Sequence, residues 1–153
     1  MPFAIHNQAA TKGREMKGLI ISKQWLDKIL AGTKTWEMRS RQTGYRGPIA
    51  LICQGTGGQI LGIAELADSL PSVTEAEFSA ARALHSIPQE DDARVLEDRW
   101  IYPWVLGNVR PLKTPVLSGQ RPGQVVWVPI APAAVARIEG QLASCSSPRR
   151  EAA

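Results

Sequence analysis

Two cysteines and two histidines in 153 residues leave little material for a metal centre or a histidine-driven nucleophile. Cys53 and Cys145 lack the short spacing of metal ligands, and Cys145 falls in a stretch rich in Ser, Pro and Arg, so neither a zinc site nor a disulfide framework is expected. His6 lies in a polar leading segment, which leaves His85 alone and a Ser/His/Asp triad unsupported. No apolar run approaches the length that spans a bilayer, and MPFAIHNQAATKGREM has no apolar core of the signal-peptide kind. No membrane partner and a cytoplasmic location are therefore expected. QGTGGQ (54–59) has glycines but neither the lysine nor the strand-to-helix setting of a phosphate loop, and no cofactor is expected. Chemistry in this chain falls to Lys, Glu, Asp, Arg, Thr, Ser or Tyr.

What is present is the composition of a soluble globular protein, 44% apolar and 21% charged, at the length of one domain with a real core. The net charge of +4 is unevenly spread. Residues 12–46 carry nine Lys or Arg against three acids, whereas residues 65–98 carry nine acids against Arg82 and Arg94. A basic half of this kind suits phosphate-bearing partners such as nucleotides or RNA, and it equally serves as a solubilising face.

Residues 1–15 and 142–153 read as flexible tails around a single domain at 16–141. KGLIIS (17–22) is a β-type run, after which Ser22 can cap a helix over 23–31 with Trp25, Leu26, Ile29 and Leu30 on one stripe and Gly32 at its end. Thr35–Ser40 alternates as a strand with Thr35, Glu37 and Arg39 on one face and Trp36 and Met38 on the other. IALICQ and QILGIAELADSL read as two strands joined through Gly57-Gly58, and in the second Glu65 shares a face with Ile63. Thr74 to Glu77 is a capping box that opens a helix running to about Ser86, and Pro88 begins another short one. WIYPWVLGNVRPLKTPVL suggests a bent strand or hairpin, SGQRPGQ a loop, QVVWVPI a last strand and APAAVARIEGQLAS a final helix. Short strands with a few helices and no βαβ rhythm predict an α+β domain around a small, mostly antiparallel β-barrel with flanking helices.

GTKTWEMRS (32–40) concentrates Lys34, Glu37 and Arg39 where a turn launches a strand. Three ionisable groups can converge there on one barrel mouth, although charges at this density also arise as surface ion pairs of little energetic worth.

GTKTWEMR fits the G-x-K-x-x-E-x-R signature of the ASCH domains, and the chain resembles that family. SKQWLDKILAG is similar to the helix before the signature, and GIAELAD and WVLGNVRPL resemble later segments of some members, so the likeness covers about residues 17–129. The resemblance implies a PUA-like barrel with a cleft suited to a nucleotide or RNA. Some members are small amidohydrolases that remove the acyl group from N4-acylcytidine with a signature lysine, a hydroxyl residue and a later acid. Lys34 matches the lysine, Glu37 stands where that enzyme has its hydroxyl, and Glu65 is the candidate for the later acid. Catalytic candidates are thus Lys34, Glu37 and Glu65.

Amide hydrolysis needs a nucleophile, stabilisation of the tetrahedral oxygen and a proton for the leaving amine. A neutral Lys34, its pKa lowered by burial beside Arg39, can act as base. In the preferred scheme a carboxylate activates water, and charged Lys34 stabilises the oxyanion and then protonates N4. Candidate substrate contacts are Arg39, Ser22 and Lys23 at a helix start, Tyr45 and Arg46 in the turn after the strand, and Asn108 with Trp104 and Arg110. Ser22 is also a simple cap, residues 104–110 also read as hairpin packing, and Trp25 and Trp36 are read as core. The implied partner is a small-molecule nucleoside, with RNA as the second, and a monomer or weak homodimer is expected. A non-catalytic RNA-binding module and a ribonuclease are the competing functions.

Overall fold

The computed structural model describes residues 16–119 and 127–146. β1 (Lys17–Ile21) runs into α1 (Lys23–Ala31), which buries Leu26 and Ile29 and ends at Gly32. Gly32 adopts φ 86°, a left-handed conformation that returns its N–H to the carbonyls of Ile29 and Lys28. β2 (Trp36–Arg39) follows, one residue shorter at each end than the alternation predicts. β3 (Gly47–Cys53) and β4 (Gln59–Ser69) form the expected hairpin. The capping box is present in both directions, Glu77 N–H to Thr74 Oγ1 at 3.1 Å and Thr74 N–H to Glu77 Oε1 at 2.8 Å.

The helix expected to reach Ser86 is in fact two pieces, α2 (Glu75–Ala80) and α3 (Arg82–His85), the second stopped by Ser86 in a left-handed conformation. A 3-10 turn (Gln89–Asp91) leads into α4 (Asp92–Glu97). β5 (Tyr102–Leu117) is one 16-residue strand rather than a hairpin, and register shifts against β4 absorb its turn residues as bulges. β6 (Trp127–Pro129) is the described part of the last strand, and α5 (Pro132–Ser146) runs beyond Ser144. Leu142 packs on the core, so this part of the predicted tail is helix. The rest of both predicted tails, with residues 120–126 of the connecting loop and last strand, lies outside the described residues.

The six strands make one sheet in the order β2-β5-β4-β3-β1-β6, antiparallel throughout except for β1 beside β3. The sheet curls into a half-barrel. No ladder joins edge strands β2 and β6 among the described residues, so the expected small, mostly antiparallel barrel takes the form of a half-barrel. The curl is nevertheless tight: Trp104 of β5 and Trp127 of β6 stack with centroids 5.5 Å apart although three strands separate them in the sheet, and the Arg39 guanidinium donates to Ile20 O at 3.2 Å. Inside the curl, α1 covers Leu19, Ile49, Leu51 and Leu66. It sits so close that a Cβ on Gly62 would fall 2.5 Å from Leu30. On the other face α5 covers Ile52, Ile60, Ile63 and Val128, and a third cluster of Met38, Phe78, Ile87 and Val95 seats the α2–α4 segment.

Candidate functional site

The turn after α1 aims Lys34 inward. The N–H groups of Thr33 and Lys34 both return to Lys28 O, and Thr35 N–H then crosses to Leu84 O at 2.9 Å. Lys34 is 2% exposed; its Nζ donates to His85 O at 2.7 Å, lies 5.2 Å from the centroid of the Trp25 ring and stands 3.9 Å from Glu37 Oε1. Burial lowers its pKa from 10.5 to about 8; Glu37 opposes that shift, while Lys28 and Arg39 add to it.

His85 does not take part as a catalyst would. It is fully buried, its Nε2 bonds Phe78 O at 2.8 Å, and its Nδ1 accepts from Ile87 N–H at 3.0 Å, which assigns the neutral tautomer with hydrogen on Nε2. Burial holds its pKa below the ordinary value. The ring braces the turn whose carbonyl receives Lys34.

Glu37 is 7% exposed and meets Arg39 Nη2 at 3.1 Å through Oε2. The same Nη2 serves Ile20 O, and the guanidinium lies 5.6 Å from the centroid of Trp104. Arg39 Nε is buried with no partner among the described residues, a donor left unsatisfied behind the cleft wall.

These side chains line a cleft of about 780 Å³ between the mouth of the curl and the α2–α4 segment. Such a volume lies within the range of small-molecule sites. Lys34, Glu37 and Arg39 share it with Trp25 and with Trp104, whose Nε1–H is held by Arg41 O at 2.9 Å. Ser22, Gln24, Gln42 and Thr43 give it polar groups on one side; on the other, Ile87, Val95 and Trp100 make an apolar patch beside the exposed, charged Arg94 and Asp98.

Of the residues picked from sequence, the cleft brings together Lys34, Glu37, Arg39 and Ser22. Ser22 occupies the N-cap position, but its side chain makes no capping bond and lines the cleft instead. Lys23 is turned to solvent, paired with Asp27 at 2.9 Å. Tyr45 packs on Trp127 at 5.2 Å and donates to Pro48 O; burial first, then the charge of Glu65, push its phenol pKa up. Arg46 bonds its own turn at Thr43 O and Tyr45 O. Asn108 sits on β5 in a left-handed conformation and is not a cleft residue. Glu65 is not one either: Ala64 and Leu66 point into the core inside the curl, so alternation turns Glu65 to the sheet's opposite face.

Sequence reasoning gave Trp25 to the core, whereas it is half-buried and forms a cleft wall. It also passed over Trp100, which is 46% exposed beside the cleft, and the Gln42–Thr43 loop, pinned to β4 through Ser69. Among the described residues no group of three His, Cys, Asp or Glu could hold a metal ion, and no helix is long and apolar enough to cross a membrane.

Among the described residues the chain forms a curled, mixed six-stranded half-barrel with five helices, α+β in class, which is a PUA-like architecture. The chain belongs to the ASCH domain family, whose model matches residues 19–115. It is similar in fold to the crystal structure of ASCH from Zymomonas mobilis, with a TM-score of 0.67 and 14% identity over 83% of this chain and 95% of that one. A Tyr-to-Phe mutant of the same protein gives 0.64 and 13% over 82% and 97%, and a Ser-to-Ala mutant 0.64 and 14% over 83% and 96%. No match was found among curated proteins.

Proposed function

We propose that the chain is an amidohydrolase that removes the acyl group from N4-acylated cytosine nucleosides. The observation that carries this reading is Lys34, an amine almost withdrawn from water yet lining a cleft of nucleoside size, with a carboxylate 3.9 Å away. With a pKa of about 8 it is mainly protonated at neutral pH, which favours the scheme with a charged lysine.

Glu37 Oε1, the carboxylate oxygen turned toward Lys34 rather than Arg39, takes a proton from water as the hydroxide adds to the amide carbon. The carbonyl oxygen becomes an oxyanion against the Lys34 ammonium, inside a site where little water screens the attraction. As the C–N4 bond breaks, Lys34 gives its proton to N4, releasing cytidine and the carboxylic acid. Glu37 then returns its proton to Lys34. Trp25, half-buried in the cleft wall, offers a face for the base. Glu65, away from the cleft, has no step.

The test is ultraviolet-monitored conversion of N4-acetylcytidine to cytidine. Wild type and Glu65→Gln turn over within about twofold of each other, and Lys34→Ala loses at least about a hundredfold. Full activity in Lys34→Ala, or no conversion of the nucleoside or its free base, would overturn the reading. Arg41 and Arg94 at the cleft support a second one, RNA binding without hydrolysis. It requires affinity for single-stranded RNA that falls steeply with salt and no turnover.

A further inference from the structure

The cleft is two-sided, and the sides differ in chemistry on either hand of Lys34. Along α1 and the β2–β3 connection it presents hydroxyls and amides: Ser22, Gln24, Gln42 and Thr43. Across from them, Ile87 and Val95 bring the third core cluster to the cleft, with Trp25 packed against that cluster, Trp100 beyond it, and the exposed Arg94 and Asp98 beside the patch. Lys34 lies at the junction. Its Nζ is bonded to His85 O, two residues before Ile87, and sits 5.2 Å from the Trp25 ring.

Trp100 is the feature that the fold leaves unexplained. Its N–H is fixed to Val95 O at 3.1 Å, after Arg99 turns the chain in a left-handed conformation with φ 57°. The backbone is held while the indole stays 46% exposed at the cleft, one of three large hydrophobic side chains left open among the described residues. A fixed, exposed indole continuous with a buried apolar wall is a surface that gains by being covered.

We infer that this wall is the acyl subsite, and that the acyl group removed is larger and more apolar than acetyl: a chain of four or more carbons, or an aroyl group. The inference rests on the amidohydrolase reading for the bond that is cut. It follows from the arrangement: with the base on Trp25 and the sugar toward the polar groups, an acyl substituent held at Lys34 meets the patch of Ile87, Val95 and Trp100. Each buried methylene adds to binding, so two further carbons are worth about tenfold.

The experiment compares kcat/KM for N4-acetyl-, N4-butanoyl- and N4-benzoylcytidine in wild type, Trp100→Ala and Val95→Phe. Wild type favours butanoyl or benzoyl over acetyl by about tenfold. In Trp100→Ala that ratio falls toward one, and Val95→Phe, which adds bulk at the wall, lowers the benzoyl-to-acetyl ratio. Trp100 is exposed, so its replacement leaves the fold intact even where Val95→Phe perturbs it. Equal or better turnover of acetyl, or a ratio unmoved in Trp100→Ala, overturns the subsite. If none of the three is hydrolysed, the amidohydrolase reading fails separately and binding judges the wall. N4-benzoylcytidine then quenches tryptophan fluorescence with a Kd about tenfold below that of cytidine in wild type but not in Trp100→Ala, and equal Kd values overturn it.

Discussion

Arg82 and Asp92 meet through two parallel bonds of 2.9 and 2.8 Å, and the spare capacity of Nη1 goes to Ile87 O at 2.8 Å. Lys34, Glu37 and Arg39 are more deeply placed and less completely joined. The lysine stands 3.9 Å from its carboxylate, one guanidinium nitrogen serves both Glu37 and Ile20 O, and Arg39 Nε has no partner among the described residues. The first set fastens α3 to α4, with its charges saturated by one another. In the second, burial has a cost that mutual pairing does not cancel, which is how groups kept available for something else are held.

The widest separation between the two sets is expected in turnover. Under the proposed amidohydrolase function, Glu37→Gln is expected to lower kcat/KM for an N4-acylcytidine about a thousandfold, while Asp92→Asn changes it less than about threefold. Comparable losses in the two variants would erase the distinction.

A thermodynamic difference follows from the burial of Lys34. Its folded pKa of about 8 lies below the ordinary 10.5, so between these values the unfolded chain binds the extra proton and stability rises with pH. Relative to Lys34→Met, wild type therefore gains about 3 kcal/mol between pH 7 and pH 10.5, read from urea midpoints at each pH. A constant difference across that range would show that the ammonium is not held at a cost.

The smallest effect sharpens the picture of Arg39. Its charge helps to lower the Lys34 pKa, so in Arg39→Met that pKa rises. Because the proposed scheme needs charged Lys34, residual kcat/KM falls as pH passes about 8 in wild type, and at higher pH in the variant. An alkaline limb that stays in place would remove Arg39 from the electrostatics of the site.

Local rules made much of the fold legible. Gly32 ending α1, the Thr74–Glu77 box and the Gly57-Gly58 hairpin are each decided within a few residues, and each stands where the chain's own chemistry puts it. GTKTWEMRS likewise gathers its charges within one turn and one strand. Glu65 was harder: alternation correctly pairs its face with Ile63, but only the packing of α5 tells which face of the sheet looks away from the cleft. Trp100 carries no periodic signal, since it follows a short helix and a left-handed residue. Its exposure depends on Val95 N-terminal to it and on what the α2–α4 segment leaves uncovered.

The stack of Trp104 on Trp127 has an optical consequence. The two rings are 13° from parallel at 5.5 Å, contributed by strands that touch only because the sheet curls. Indoles in that proximity perturb one another's electronic transitions, and their near-ultraviolet circular dichroism depends on the geometry between them. The molecule thus carries its own chromophore pair across the opening of its curl, and a spectrum taken while the cleft fills would record whether the curl tightens, without a label.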